Sequence, residues 1–209
     1  MITESRIIQV IPTEDYFSIT WKLTMRCNYD CMYCPTAWHD TTSKYHTLDE
    51  LQAAWIDIYQ KTQHRNLKYK ISFSGGEVTS SKHFLPFVTW LRKNYSKDIF
   101  KLLVTTNGSA STKYYTKLFD NIDNISFSVH SEHIDEKKFF QMIIDLHNYI
   151  DSTKFLHVNI MDEFWNQERI VLYKALLTAN NISYNINEID YRLQTRSIPI
   201  VKGKLNLDI

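Results

Sequence analysis

Three cysteines fall within eight residues, Cys27-Asn28-Tyr29-Asp30-Cys31-Met32-Tyr33-Cys34, and the chain has no others. An odd, tightly clustered set is a poor disulfide framework. In a reducing compartment such a set points to metal binding or redox chemistry. Three thiolates on one loop can hold three irons of a cubane cluster and leave the fourth open to a substrate or cofactor. Two other chemistries stay open on the residues alone. Zinc could take Cys27, Cys31, Cys34 and either His39 or His46. Cys31-Met32-Tyr33-Cys34 could serve as a thioredoxin-like pair, which leaves Cys27 unexplained.

The elements that position this loop follow from periodicity. Phe17–Thr24, Lys68–Ser74, Phe100–Thr106, Asn124–His130, Lys154–Ile160 and Ile182–Glu188 are rich in β-branched and aromatic residues and read as strands. Between them lie helical stretches: Leu48–Gln63, Leu85–Tyr95, Lys113–Phe119, Asp135–Tyr149 and Asn166–Asn180. Thr47-Leu48-Asp49-Glu50 is a capping box for the first, and Pro86 suits the first turn of the second. Alternation of this kind argues for parallel strands joined by crossovers. Six units are too few to close an eight-unit barrel of ~250 residues.

Within the strands, apolar and polar residues alternate. Phe17, Ile19, Trp21 and Leu23 interleave with Ser18, Thr20, Lys22 and Thr24; Ile125, Phe127 and Val129 interleave with Ser126, Ser128 and His130. Helices would cover the apolar face, so the polar face must line something wet or ligand-filled. The expected fold is therefore α/β: an open partial (β/α)6 barrel of parallel strands with a polar concave face and ligands at the C-terminal strand ends. Residues 1–190 are expected to form this core. Residues 191–209 form a C-terminal extension, in which Ser197–Val201 and Leu205–Ile209 read as a short hairpin or tail.

Composition narrows the class. Forty-four per cent hydrophobic and 14% aromatic residues suffice for a packed core, which excludes a disordered chain. Twenty-four Lys and Arg against 23 Asp and Glu leave a net charge of +1, so no strong field favours nucleic acid or a membrane surface. Met1–Val10 lacks a basic segment leading into an apolar one, and no apolar run approaches the ~20 residues of a membrane span. The expected location is the cytoplasm.

With an aromatic, Tyr33, just before its last cysteine, the Cys-x3-Cys-x2-Cys pattern resembles the signature of the radical S-adenosylmethionine (radical SAM) superfamily. Phe73-Ser74-Gly75-Gly76-Glu77 after the second strand resembles the GGE motif of that family, and Thr105-Thr106-Asn107-Gly108 its T-N-G stretch. Ser126-Phe127-Ser128-Val129-His130-Ser131 resembles the fourth-strand segment near the ribose, although many relatives carry Asp where this chain has His130. The resemblance runs from about Phe17 to Glu188. It implies that Cys27, Cys31 and Cys34 hold a 4Fe–4S cluster. It further implies that Tyr33, Gly75, Gly76, Glu77, Asn107, Ser126, Ser128, His130 and Asn159 contact S-adenosylmethionine, with Glu77 at the methionine ammonium.

The activity implied is reductive cleavage of S-adenosylmethionine to a 5′-deoxyadenosyl radical that takes hydrogen from a small-molecule or peptide substrate. A flavodoxin or ferredoxin would supply the electron, and neither membrane nor nucleic acid is expected as a partner. With three cysteines in all, no auxiliary cluster is expected. Two alternatives from other classes are a glycyl-radical activase docking on a protein partner and a viperin-like nucleotide-modifying enzyme. Lys22 and Lys70 are candidates for an anionic substrate group, and Arg192 and Arg196 for further contacts. His64, His83, His133 and His147 read as ordinary surface or helix residues.

Overall fold

The computed structural model describes residues 7–12, 16–35 and 40–190. They form seven strands in one sheet, ordered as in sequence: β1 (Ile7–Pro12), β2 (Tyr16–Thr24), β3 (Lys68–Gly75), β4 (Ile99–Thr106), β5 (Asn124–Val129), β6 (Phe155–Met161) and β7 (Ser183–Asn187). The helices between them are α1 (Leu48–Thr62), α2 (Phe84–Tyr95), α3 (Thr112–Phe119), α4 (Glu136–Tyr149) and α5 (Gln167–Ala179). Strands β2 to β7 are parallel throughout. Each expected strand and helix is present, with ends within about two residues of the sequence reading.

One strand was not expected. β1 pairs antiparallel with β2, from Ile7 opposite Trp21 to Pro12 opposite Phe17, across an irregularity between Ile7 and Val10. Its three-residue connection to β2 is too short for a crossover, so antiparallel pairing is what that connection permits. The hairpin or tail expected over residues 197–209 lies outside the described residues, as do Arg192, Arg196 and His39.

Local signals explain the helix starts. At α1, Glu50 N–H donates to Thr47 Oγ1 (3.3 Å) and Thr47 N–H to Glu50 Oε2 (2.7 Å), the reciprocal capping box. Ser111 and Asp135 cap α3 and α4 through their side chains. Pro86 is the third residue of α2, where its missing N–H leaves no intrahelical bond unmade.

The sheet is apolar on one face only. In β2, Phe17, Ile19, Trp21 and Leu23 are buried while Ser18, Thr20, Lys22 and Thr24 are half-buried. The helices pack on the apolar face: Trp21 meets Phe87 of α2 edge-on at 5.7 Å, Tyr69 meets Trp55 of α1 at 5.2 Å, and Phe127 meets Tyr115 of α3 at 4.9 Å. A doubly wound sheet would carry helices on both faces and reverse its strand order. Sequential order with one covered face leaves the polar face open.

Candidate functional site

A cavity of about 570 Å³ opens where the parallel strands end. Lys22, Ser74, Thr105, Ser128 and Met161 line it from five successive strands, and Glu188 and Asp190 from beyond β7. Cys27, Cys31 and Cys34 all line the same cavity, with Tyr29, Tyr33 and Pro35 of their loop. Its size lies within the range of small-molecule sites.

The cysteine loop is held from two sides. On the first, the chain leaving β2 is pinned to the end of β3: Gly76 N–H donates to the Thr24 carbonyl and Glu77 N–H to the Arg26 carbonyl, both at 2.8 Å. The two glycines are there because the backbones nearly touch. A Cβ on Gly75 would lie 2.0 Å from the Thr24 oxygen, and one on Gly76 would lie 2.2 Å from the Arg26 oxygen. Gly75 also has φ +138°, which L residues rarely adopt.

Behind this wall stands Glu77, with 0% of its surface exposed. Its Oε1 accepts from Thr79 N–H (2.8 Å), Thr79 hydroxyl (2.6 Å) and Thr106 hydroxyl (2.8 Å), and Oε2 accepts from Asn107 N–H (2.6 Å). Burial pushes its carboxyl above the ordinary value despite these donors. The carboxylate ties β3 to the end of β4. There Asn107 turns back and donates from Nδ2 to Asn28 Oδ1 (2.9 Å) inside the cysteine loop.

On the second side, three of the four residues that follow β5 meet the loop, and the fourth, Ser131, anchors the turn from behind. His130 Nδ1 lies 2.5 Å from the Tyr33 hydroxyl and 3.4 Å from Cys31 Sγ. Ser131 donates to Glu163 from both N–H and hydroxyl. Glu132 accepts the Met32 N–H at 3.2 Å on each carboxylate oxygen. His133 stacks on Tyr29 at 4.6 Å and lies 3.6 Å from Asp30 Oδ1. His133 is therefore a packing partner of the cysteine loop rather than an ordinary surface residue. Met32, Tyr33 and Cys31 form a small apolar cluster of their own with Tyr29, Met161, Trp165 and Ile189.

Electrostatics follow burial. Desolvation pushes all three thiols above their ordinary value, far above it at Cys31, which is 5% exposed. The Tyr29 hydroxyl is pushed up to about 12 by burial and the nearby Glu77 charge. Burial pushes His130 down to about 4, so its imidazole is neutral near pH 7.

Of the residues singled out in the sequence, Cys27, Cys31, Cys34, Tyr33, Gly75, Gly76, Asn107, Ser128 and His130 line the one cavity, as does Lys22. Ser126, Asn159 and Glu77 do not, and Glu77, fully buried with both carboxylate oxygens hydrogen-bonded, stands behind the wall rather than at the methionine ammonium position that the resemblance implied. Asn159 sits beside Ser128 in the β5–β6 register, and Ser126 is one step further down the sheet, opposite His157. Lys70 stands over the Tyr16 ring at 5.1 Å, away from the cavity. His46 lines a separate small cleft beside α1, and among the described residues no three His, Cys, Asp or Glu side chains converge on a single metal ion. Glu132 and Glu163 were not singled out in the sequence, and His133 was read there as an ordinary residue. The polar run His130-Ser131-Glu132-His133 at a strand's C-terminal end was the signal for Glu132 and His133, whereas nothing near Glu163 in sequence marked it.

The profile of the radical SAM superfamily matches residues 21–157, which run from the second half of β2 into the start of β6 and span the cysteine loop and the glycine pair. The chain belongs to the radical SAM superfamily. Among solved structures, this radical SAM protein is similar to BtrN, crystallised in complex with AdoMet and 2-DOIA. The match has 16% identity, covers 66% of this chain and 67% of that one, and has a TM-score of 0.45. No curated protein matches.

A radical SAM enzyme implies a 4Fe–4S cluster and S-adenosylmethionine, and the donor set agrees. Three thiols, none in a disulfide, line one wall of the cavity. Thiolate is the ligand such clusters take. A cysteine must be deprotonated to ligate iron, so taking up metal releases the protons of these thiols.

Proposed function

We propose that this chain is a radical SAM enzyme with a single cluster, held by Cys27, Cys31 and Cys34, beside which S-adenosylmethionine binds. When bound, these cofactors supply reductive cleavage of the sulfonium to methionine and a 5′-deoxyadenosyl radical that takes a hydrogen atom from substrate. One observation carries the reading: all three thiols share a single cavity with the Gly75–Gly76 edge, Asn107 and Ser128, at the C-terminal strand ends.

The chain's own residues bind, orient and shield. Gly75 and Gly76 present bare backbone to the cavity, where the amino-acid end of S-adenosylmethionine would lie. Asn107 and Ser128 offer polar groups for the carboxylate and ribose, and Tyr33 an aromatic face. Glu77 acts from behind, keeping the ends of β3 and β4 and the Asn107 backbone in register. Ser126 and Asn159 extend the polar face toward the adenosine. Lys22, Glu188 and Asp190 surround the remaining opening, which suits a polar small molecule or a peptide side chain. A flavodoxin or ferredoxin is the proposed electron donor.

The test is anaerobic reconstitution with iron and sulfide, then dithionite and S-adenosylmethionine, with 5′-deoxyadenosine read by mass spectrometry. The parent should yield product and Cys31→Ala none. Zinc retained in place of iron, or a fully iron-loaded parent that forms no 5′-deoxyadenosine, would overturn the proposal.

A further inference from the structure

Cys31 differs from the other two cysteines in having a histidine at its sulfur. His130 Nδ1 lies 3.4 Å from Cys31 Sγ, while no ring nitrogen among the described residues is recorded within hydrogen-bonding distance of Cys27 or Cys34. The imidazole is fixed in place. Its ring stacks on Tyr33 at 5.9 Å with an interplanar angle of 15°, meets Tyr29 edge-on at 6.0 Å, and shares Nδ1 with the Tyr33 hydroxyl. The backbone just beyond it is anchored in turn, by Ser131 to Glu163 and by Glu132 to Met32 N–H. A nitrogen so held, beside the most buried of the three thiols, has little freedom to serve a mobile ligand.

We propose that His130 is a positioning residue for Cys31: in the tautomer protonated at Nδ1, its N–H is shared between the Tyr33 hydroxyl oxygen and the Cys31 sulfur, and this hydrogen bond sets the reduction potential of a cluster held there. Hydrogen bonds to ligand sulfur stabilise the more negative, reduced state, and the groups behind metal ligands tune the metal they support. This departs from the ribose contact implied by the resemblance at this position, and it rests on the cluster reading of Cys27, Cys31 and Cys34.

Two readouts independent of turnover test it. The parent, labelled with 15N-histidine, reconstituted and reduced with dithionite, should show a 15N hyperfine coupling to the cluster in pulsed EPR. That coupling should vanish in His130→Gln. An EPR-monitored redox titration should place the midpoint of His130→Phe below that of the parent at equal iron content, with His130→Gln recovering part of the shift through its amide N–H. A loaded parent with no 15N coupling overturns the role of His130 even if the variants fail to fold, as does an unmoved midpoint in an iron-loaded His130→Phe. A parent that takes up no iron overturns the cluster reading itself, so the two failures are distinguishable.

Discussion

Gly76 is glycine because the carbonyl of Arg26 occupies the space its side chain would need. The contact is between two stretches of this chain's own backbone, just before the first cysteine, so the residue governs where the loop begins. Gly76→Ala should push the Met25–Arg26 backbone away, break the Glu77 N–H to Arg26 bond and cost about 1–3 kcal/mol of stability through overpacking. The variant should lose most of its iron uptake on reconstitution while its far-UV circular dichroism stays that of the parent. Uptake equal to the parent's would show that the loop does not depend on this contact. The pair Gly75-Gly76 was legible in the sequence as part of a motif resembling the family's GGE. What approaches was not legible, because that requires knowing that Thr24 and Arg26 run alongside. Glu77 illustrates the same limit: the residue type and position were plain, whereas its four buried donors come from Thr79, Thr106 and Asn107, up to thirty residues away.

At the scale of elements, strand alternation and capping chemistry carried most of the fold. Trp21, Phe73 and Phe127 fall on the helix-covered face by simple parity, and Thr47 and Glu50 mark the start of α1. β1 was missed because a short apolar run near the start of a chain carries no sign of its partner. The turn after β5 was missed for a related reason. Its role depends on α5's leading loop, where Glu163, 1% exposed, accepts from Ser131 and from Asn166 Nδ2 (3.2 Å). Burial, the largest influence, holds Glu163 above its ordinary value of 4.5, against the hydrogen bonds and the Arg169 charge. A carboxyl whose folded value exceeds its unfolded one favours the fold fully below 4.5, and that contribution is lost as pH rises through the folded value. Glu163→Gln does not titrate. The stability of the parent relative to this variant, from urea unfolding at a series of pH values, should therefore fall from pH 4.5 upward. A relative stability that rises over that interval would contradict the assignment.

For the molecule as a whole, the site and the scaffold are packed as two units. The main core runs from Phe17 to Ile182 between sheet and helices and includes Trp21 and Trp55, both essentially inaccessible. The cysteine loop has its own cluster around Cys31, Met32 and Tyr33, resting on Met161 and Trp165. Cys27 and Cys34 are half-buried at the cavity wall and belong to no part of the main core. Removing their thiols should therefore abolish cluster loading with little effect on the scaffold. Without metal, Cys27→Ser combined with Cys34→Ser should unfold in urea within about 1 kcal/mol of the parent. Trp55→Ala, which opens a cavity beneath α1, should cost about 3–5 kcal/mol. Loading with iron and sulfide should raise the parent's unfolding temperature, since a ligand that binds only the folded state stabilises it by mass action, and should leave the double variant unmoved. If the apo double variant lost as much stability as Trp55→Ala, the loop would be part of the folding core, and loss of cluster in any cysteine variant could no longer be read as loss of a ligand.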